Sequence, residues 1–269
     1  MSHSTADLRF FHPRSTIEHG HNRLPHWEQT GVACFVTFRL ADSVPQELLY
    51  TWATERRSWL LRNSPPHTQE QERAHDELFT AKIDAWLDQG TGSCALRDRA
   101  IRQALTDTLS HGEGSRYETH AWVVMPNHIH LLFSPIAEHT IAAIVRSWKG
   151  ISAREANQLH GRTGEFWMKD YFDRLVRDAD HFWRCARYIR RNPEKAKIAE
   201  DHFALYEAPF VRACLDQVGI GGSLAAGLNS WPRIGGTLAA GLSEEQGRRQ
   251  ECRRSVLIAR KLDLLGGGF

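Results

Sequence analysis

The sequence predicts an α+β fold in which helices pack on an antiparallel sheet. Three observations support this prediction: a β-hairpin pattern over residues 117–134, an apolar β-branched run over residues 32–40, and helical apolar spacing over residues 140–158 and 179–191. With a further strand over residues 170–176, the order is strand, helices, strand, strand, helix, strand, helix. Short connections and right-handed crossovers then favour a ferredoxin-like split βαβ sheet.

Composition indicates an ordinary globular protein. The chain has 269 residues, of which 41% are hydrophobic and 25% charged, and its formal net charge is +2. The small net charge does not by itself indicate nucleic-acid binding, so a basic surface would have to be local. The five cysteines lie far apart and predict neither a zinc knuckle nor a disulfide framework. With no apolar run near the roughly 18 residues of a membrane span and no signal-peptide pattern, we expect a cytoplasmic protein without membrane contact.

Composition shifts along the chain predict three segments. Residues 1–30 form a polar arm, residues 31–198 form the main domain, and residues 199–269 form a partly flexible tail. The main domain contains a long helical insertion over residues 45–112. Helical apolar spacing within it covers residues 46–62, 69–88 and 95–110.

Two stretches outside the main domain are less informative. The arm contains scattered histidines that could bind a metal, but their irregular spacing favours a solvated arm without strands. In the tail, residues 220–228 recur nearly unchanged as residues 234–242. Two copies are too few for a solenoid, and their glycine content favours a flexible segment. Translation of repeated DNA would also explain the recurrence.

The hairpin carries the first chemical motif. Residues 121–130 read Ala-Trp-Val-Val-Met-Pro-Asn-His-Ile-His, in which Pro and Asn predict a turn directly before His128. Side chains alternate along a strand, so His128 and His130 would project from one face while Ile129 enters the core. Two neutral imidazoles can hold a divalent metal. Taken alone, such a pattern more often consists of structural or half-exposed histidines than of metal ligands.

The last predicted helix carries the second motif. A stripe containing Tyr188 and Asn192 lies beside its apolar face, and we expect the helix to end near Asn192 because Pro193 disfavours helical geometry there. Cations crowd this region, which indicates either a favourable interaction with the helix dipole or a phosphate-binding surface.

Together, residues 121–130 and the run Tyr-Ile-Arg-Arg-Asn-Pro-Glu-Lys-Ala at residues 188–196 resemble the single-tyrosine HUH transposases, specifically the REP-associated tyrosine transposases. The resemblance covers roughly residues 25–198 and makes the main domain the catalytic one. It has two departures. Met168 stands where relatives often carry Gln, and the helical insertion is long, so that it would serve either as a DNA-binding appendage or as a cap over the sheet.

The resemblance implies metal-dependent cleavage and strand transfer of single-stranded DNA at hairpin-forming repeats. The candidates for contacts with the DNA backbone are then Arg146, Lys149, Arg184, Arg187, Arg190, Arg191 and Lys195. His128 and His130 would then hold Mg²⁺ or Mn²⁺, Asn192 would help to complete the metal site, and Tyr188 would be the nucleophile, leaving a 5′-phosphotyrosine. Two alternatives stay open from the sequence: a non-catalytic nucleic-acid-binding regulator, and a metal-dependent hydrolase that uses water as its nucleophile. The sequence does not distinguish a monomer from a homodimer.

Overall fold

The computed structural model describes residues 8–12, 15, 18–21, 25–63 and 68–218. These residues divide into two compact units. The sheet unit contains the described residues up to 45 together with residues 86–218, and the helical unit contains the described part of residues 46–85. All predicted site residues lie in the sheet unit.

The described residues form seven strands and seven α-helices. In chain order they are β1 (Glu18–His21), β2 (Pro25–Glu28), β3 (Cys34–Arg39), α1 (Gln46–Arg62), α2 (Gln69–His75), α3 (Ala81–Asp88), α4 (Arg99–Ser110), β4 (Tyr117–Val124), β5 (His128–Pro135), α5 (Ile141–Leu159), β6 (Phe172–Leu175), α6 (Ala179–Lys195), β7 (Ala204–Glu207) and α7 (Pro209–Val218). No helix among the described residues is long and apolar enough to cross a membrane.

Five strands form the main sheet, in the order β6–β3–β5–β4–β7, and every neighbouring pair is antiparallel. The strands β3 to β6 have the order of the predicted ferredoxin-like split βαβ fold, so the predicted fold class is confirmed. Strand β5 is central, between β3 and β4. The predicted histidine motif therefore lies in the middle of the sheet.

Each face of the sheet is covered by different helices. On one face Ile129 and Leu131 pack in a core with residues of α4 and α5. On the other face Leu132 packs with Phe182 and Ile189 of α6. Alternate residues of β5 thus point to opposite faces of the sheet. The apolar side chains on each face are buried against a separate layer of helices.

Helix α6 is longer than the sequence indicates. The expectation that it ends near Asn192 is wrong, because the helix continues through Pro193. Proline restricts the residue before it, but its own backbone angle suits a helix. A Schellman turn then closes the helix: Lys197 N–H donates to Glu194 O (3.0 Å) and Ile198 N–H donates to Pro193 O (2.9 Å), with Lys197 at φ 53°.

The N-terminal arm contains strands, contrary to the expectation from its sequence. β1 and β2 form an antiparallel hairpin, with Glu18 opposite Glu28. Farther upstream, the Arg9 carbonyl accepts a hydrogen bond from Ala33 N–H, and Phe11 N–H donates to the Val176 carbonyl. These contacts are backbone hydrogen bonds, which do not require alternating apolar side chains. The hydrophobic pattern of the sequence therefore did not reveal the strands.

The chain beyond Ile198 continues the sheet unit. Strand β7 pairs with the outer edge of β4, and α7 follows it. The sequence analysis did not predict these elements, since β7 has only four residues and three of them are half-buried. The repeat over residues 220–228 and 234–242 lies outside the described residues.

The predicted insertion separates into two parts. The helical unit contains α1 and α2, with Trp52 Nε1 donating to the Phe79 carbonyl (3.1 Å). A π-helical turn over Asp76–Thr80 interrupts the helix predicted for residues 69–88. Helix α4 instead packs against α5 in the sheet unit. It begins later than predicted because the Asp98 side chain caps it, accepting from Ala100 N–H (2.7 Å).

Candidate active site

The turn between β4 and β5 positions the two histidines. Met125 N–H donates to the His128 carbonyl (2.8 Å), which closes a two-residue turn. His128 and His130 then point to the α6 face of the sheet, while Ile129 enters the core on the other face. Both imidazoles are only 1% exposed. The fold therefore brings the two predicted metal ligands side by side.

The Nε2 atoms of the two rings are 3.1 Å apart. On the outer side of each ring, the Nδ1 atom has its own partner. Asn127 Oδ1 lies 2.8 Å from His128 Nδ1, and Thr37 Oγ1 lies 2.7 Å from His130 Nδ1. Thr37 is the residue of β3 directly opposite His130 in the strand register. Each ring is thus held from outside and directs its inner nitrogen into one shared space.

Burial keeps both rings uncharged. It lowers the pKa of His128 to about 3, with a smaller contribution from the charge of Lys195. Burial also lowers the pKa of His130 well below its ordinary value, assisted by His128 and then by Lys195. A neutral imidazole offers a lone pair, so both rings are in the form that binds a metal ion.

Tyr188 of α6 lies against the histidine pair. Its Oη is 3.5 Å from His130 Nε2, and the two rings meet edge to face at a centroid distance of 5.0 Å. Phe35 of β3 contacts both rings, stacked on His130 at 5.6 Å and edge-on to Tyr188 at 5.9 Å. The predicted nucleophile is half-buried, and it contacts one of the predicted metal ligands.

Asn192 lies one helical turn beyond Tyr188, on the same side of α6. Its side chain is buried, and neither Oδ1 nor Nδ2 has a hydrogen-bond partner among the described residues. An unpaired buried amide destabilises a protein by about 1–3 kcal/mol. The unpaired Asn192 amide could therefore pair with an ion or with another molecule.

The donor atoms fit a divalent ion. Two ligands about 2.1 Å from an ion are about 3.0 Å apart at a right angle and about 3.4 Å apart at a tetrahedral angle, and the Nε2 separation of 3.1 Å lies between these values. The described residues contain no cluster of three His, Cys, Asp or Glu side chains. The two imidazoles are the candidate protein ligands that the fold brings together, and Asn192 stays the predicted third ligand. Such a set would leave other positions of the ion open for substrate.

Four of the predicted DNA-contact cations flank Tyr188. Arg184 and Arg191 are exposed, and Arg187 is half-buried. Lys195, whose side chain is 57% exposed, forms an ion pair with Asp88 at 3.0 Å. These four side chains belong to the same helix as Tyr188, within two turns of it.

Arg190 has a different environment. Its guanidinium forms two parallel hydrogen bonds with the Glu207 carboxylate, both at 2.6 Å, and a third with Asp216 at 2.7 Å. This arrangement ties α6 to the edge strand β7 and to α7. It gives Arg190 a structural role and occupies much of its donor capacity.

The remaining two predicted cations lie on the other face of the sheet. Arg146 is exposed and Lys149 half-buried on α5, where they line a cleft of about 370 Å³. Lys149 Nζ donates to the carbonyls of Met168 and Lys169, each at 2.6 Å. Burial lowers its pKa to about 8. The fold does not bring these residues to the histidine pair.

Strand β3 contributes site residues that sequence reasoning missed. Phe35, Thr37 and Arg39 alternate with core residues and share the face of His128. Arg39 lies opposite His128 in the register, its Nη1 donates to Ser43 Oγ (3.0 Å), and no carboxylate pairs with it in the described part of the chain. Alternation along residues 34–39 would have separated this face from the core face, but the pairing of β3 with β5 is not visible in the sequence.

The fold and the site together define an antiparallel-sheet protein with a paired-histidine centre and an adjacent helical tyrosine. Residues 97–192 match the model of the family described as "Transposase IS200 like". The matched segment contains the histidine pair, Tyr188 and Asn192, and it leaves out β3. The family resemblance inferred from the two motifs is therefore confirmed over this segment.

Comparisons of structure and of curated sequences add less. A solved structure of a REP-associated tyrosine transposase bound to a REP hairpin is 15% identical to this chain, with a TM-score of 0.38. The match covers 67% of this chain and 77% of that one. A putative transposase from Deinococcus radiodurans R1 is 17% identical, with a TM-score of 0.27, covering 61% of this chain and 93% of that one. No curated protein matches the sequence.

Proposed function

We propose that this protein is a metal-dependent transposase that cleaves and rejoins single-stranded DNA through Tyr188. The observation that carries the proposal is the position of the Tyr188 Oη, 3.5 Å from a buried, neutral histidine pair. A phenol is a weak nucleophile at neutral pH, because its ordinary pKa is about 10. It needs a neighbouring group that polarises its target, and the histidine pair could hold one.

In the proposed reaction, the Tyr188 Oη forms a bond to the scissile phosphorus as the bond from phosphorus to the 3′ oxygen breaks. The phenol loses its proton, the leaving 3′ oxygen gains one, and the product is a 5′-phosphotyrosine with a free 3′-hydroxyl. When bound, Mg²⁺ or Mn²⁺ would supply charge stabilisation at the phosphate oxygens. His128, His130 and Asn192 would hold the ion, and Phe35 would keep the tyrosine ring against His130. Attack of a 3′-hydroxyl on the phosphotyrosine reverses the step, which makes strand transfer possible without ATP.

The substrate would be single-stranded DNA at hairpin-forming repeats, as the likeness of the two motifs to REP-associated tyrosine transposases implies. Arg184, Arg187, Arg191 and Lys195 flank Tyr188 and are the proposed backbone contacts at the cleaved strand. Such contacts supply affinity and salt dependence rather than sequence choice. Arg39, whose guanidinium has no carboxylate partner in the described part of the chain, is a further candidate for a phosphate contact.

The proposal is tested by mixing the purified protein with labelled single-stranded oligonucleotides from the repeats that flank its own gene, with Mg²⁺ or Mn²⁺. On a denaturing gel we expect a slow-migrating protein–DNA adduct that disappears with chelator and in Tyr188→Phe. Tyr50→Phe is the matched control, because Tyr50 is 78% exposed on α1, and it should leave the adduct unchanged. Cleavage without an adduct would indicate the water-dependent hydrolase. Binding alone, with both metals and several hairpins, would indicate the regulator.

A further inference from the structure

The orientation of the Asn127 side chain is fixed by its neighbours. Its Nδ2 lies 3.2 Å from the Leu87 carbonyl and 3.2 Å from the Thr91 carbonyl. Carbonyl oxygens only accept hydrogen bonds, so the amide nitrogen must face them as the donor. The amide oxygen consequently faces His128 Nδ1 at 2.8 Å and must accept from it. Asn127 is fully buried, so water does not compete with these contacts.

This contact assigns the tautomer of His128. Because Asn127 Oδ1 can only accept, the His128 proton resides on Nδ1, and the His128 Nε2 carries a lone pair. The Nε2 atom of His128 can therefore bind an ion without any change of tautomer. It cannot donate a hydrogen bond to its neighbour His130.

His130 must then adapt to the state of the site. Without an ion, the 3.1 Å contact between the Nε2 atoms needs one donor, and only His130 can supply it. His130 Nδ1 is then unprotonated, and the Thr37 hydroxyl donates to it at 2.7 Å. With an ion, His130 Nε2 must offer its lone pair, the proton moves to Nδ1, and the Thr37 oxygen must accept.

We propose that Thr37 is a positioning residue whose hydroxyl pairs with both tautomers of His130, so that the outer nitrogen of this ring has a hydrogen-bond partner with and without the ion. The inference rests on the proposed metal site. A hydroxyl suits the position because it rotates between donor and acceptor roles, which an amide oxygen or a carbonyl cannot do. Phe35 stacks on the His130 ring at an interplanar angle of 20°, so the change moves a proton and leaves the ring in place.

Two matched substitutions separate the hydroxyl from the packing. Thr37→Val keeps the shape and the β-branch that suit a strand but has no hydrogen-bonding group, and Thr37→Ser keeps the hydroxyl. Circular dichroism and thermal unfolding of both variants check that the sheet is retained. Losing an outer hydrogen-bond partner of a metal-binding histidine typically weakens metal affinity by about 10–100-fold. We expect this loss for Mn²⁺ binding to Thr37→Val, measured by calorimetry without DNA, and a change below about threefold for Thr37→Ser.

The tautomers are read directly by ¹⁵N NMR of histidine-labelled protein. In the metal-free protein we expect the proton of His128 on Nδ1 and that of His130 on Nε2. After addition of Zn²⁺, a diamagnetic probe, we expect both protons on Nδ1. A metal-free His130 protonated on Nδ1, or Mn²⁺ binding by Thr37→Val as tight as that of the wild type, would overturn the proposal. Neither readout involves DNA, so a missing protein–DNA adduct alongside the expected tautomers would reject the proposed reaction and leave the role of Thr37 intact.

Discussion

The Arg190–Glu207 ion pair gives the most detailed stability prediction. The Glu207 side chain is 4% exposed and that of Arg190 18%, and two hydrogen bonds of 2.6 Å join them. Glu207→Ala leaves the guanidinium with Asp216 as its remaining carboxylate. Breaking a fully buried pair destabilises a protein by about 3–5 kcal/mol, and the partial exposure of Arg190 reduces the expected loss to about 2–3 kcal/mol. Urea unfolding at pH 7.5 measures this loss.

Asp216→Ala is the matched control, because it removes the other carboxylate of the same guanidinium. The Asp216 side chain is 62% exposed, so the expected loss is below about 1 kcal/mol. A double-mutant cycle with Arg190→Gln and Glu207→Ala should give a coupling above about 1.5 kcal/mol. A coupling below about 0.5 kcal/mol would refute the structural role of the pair.

The same variants separate the two roles considered for Arg190. If Arg190 contacted a DNA phosphate, as the sequence suggested, Arg190→Gln would reduce the slope of log affinity against log salt by about 0.7 for single-stranded DNA, with little effect on stability. The structure predicts the opposite outcome, a loss of stability with an unchanged slope. Arg191→Gln is the neighbouring exposed control, for which a reduced slope is expected.

Three further predictions concern stability. Burial lowers the pKa of His128 to about 3 and that of His181 to about 4, so that below the ordinary histidine pKa of about 6.5 the unfolded chain binds more protons than the folded chain. The free energy of unfolding should therefore fall as the pH is lowered from about 6.5 to about 4, and a flat profile in urea unfolding would contradict this. Lys197→Gly should raise the stability by up to about 1 kcal/mol in the same assay, because φ is 53° there. Tyr117→Phe should lower it by about 2–3 kcal/mol, as Trp148 Nε1 loses its acceptor; a loss below about 0.5 kcal/mol would contradict the buried network.

The sequence allowed prediction of which side chains share a face at the candidate site, because the determinants of each face are local. His128 and His130 are two residues apart in one strand, and Tyr188 and Asn192 are four apart in one helix, so the periods of the two elements put each pair on one face. Only their meeting across the sheet required a topology. Short connections and right-handed crossovers supplied that topology.

The rest of the site depends on pairings distant in sequence. Thr37 reaches His130 across 93 positions, and nothing in the run around Thr37 distinguishes its hydroxyl from that of any strand threonine. Arg190 shows the same limit. Its place in a basic run indicated DNA contact, but its partner Glu207 lies on a four-residue strand that is too short to be recognised by patterning.

The end of α6 could be predicted only in part. Pro193 does disfavour a helical backbone conformation at Asn192, but this preference depends only on the two residues and not on their surroundings. Buried packing of both residues and the hydrogen bonds of the final turn outweigh it, and this keeps Asn192 on the side of Tyr188. Tertiary context of this kind cannot be read from a dipeptide.

Identification of the residue that becomes linked to DNA tests the central claim most directly. The adduct would be trimmed with nuclease and cleaved before aspartates, which releases residues 180–200 with Tyr188 as their only tyrosine. The account predicts that mass spectrometry finds the nucleotide 5′-phosphate on this peptide, at Tyr188. A nucleotide on any of the other four tyrosines, or on a residue of another type, would contradict it.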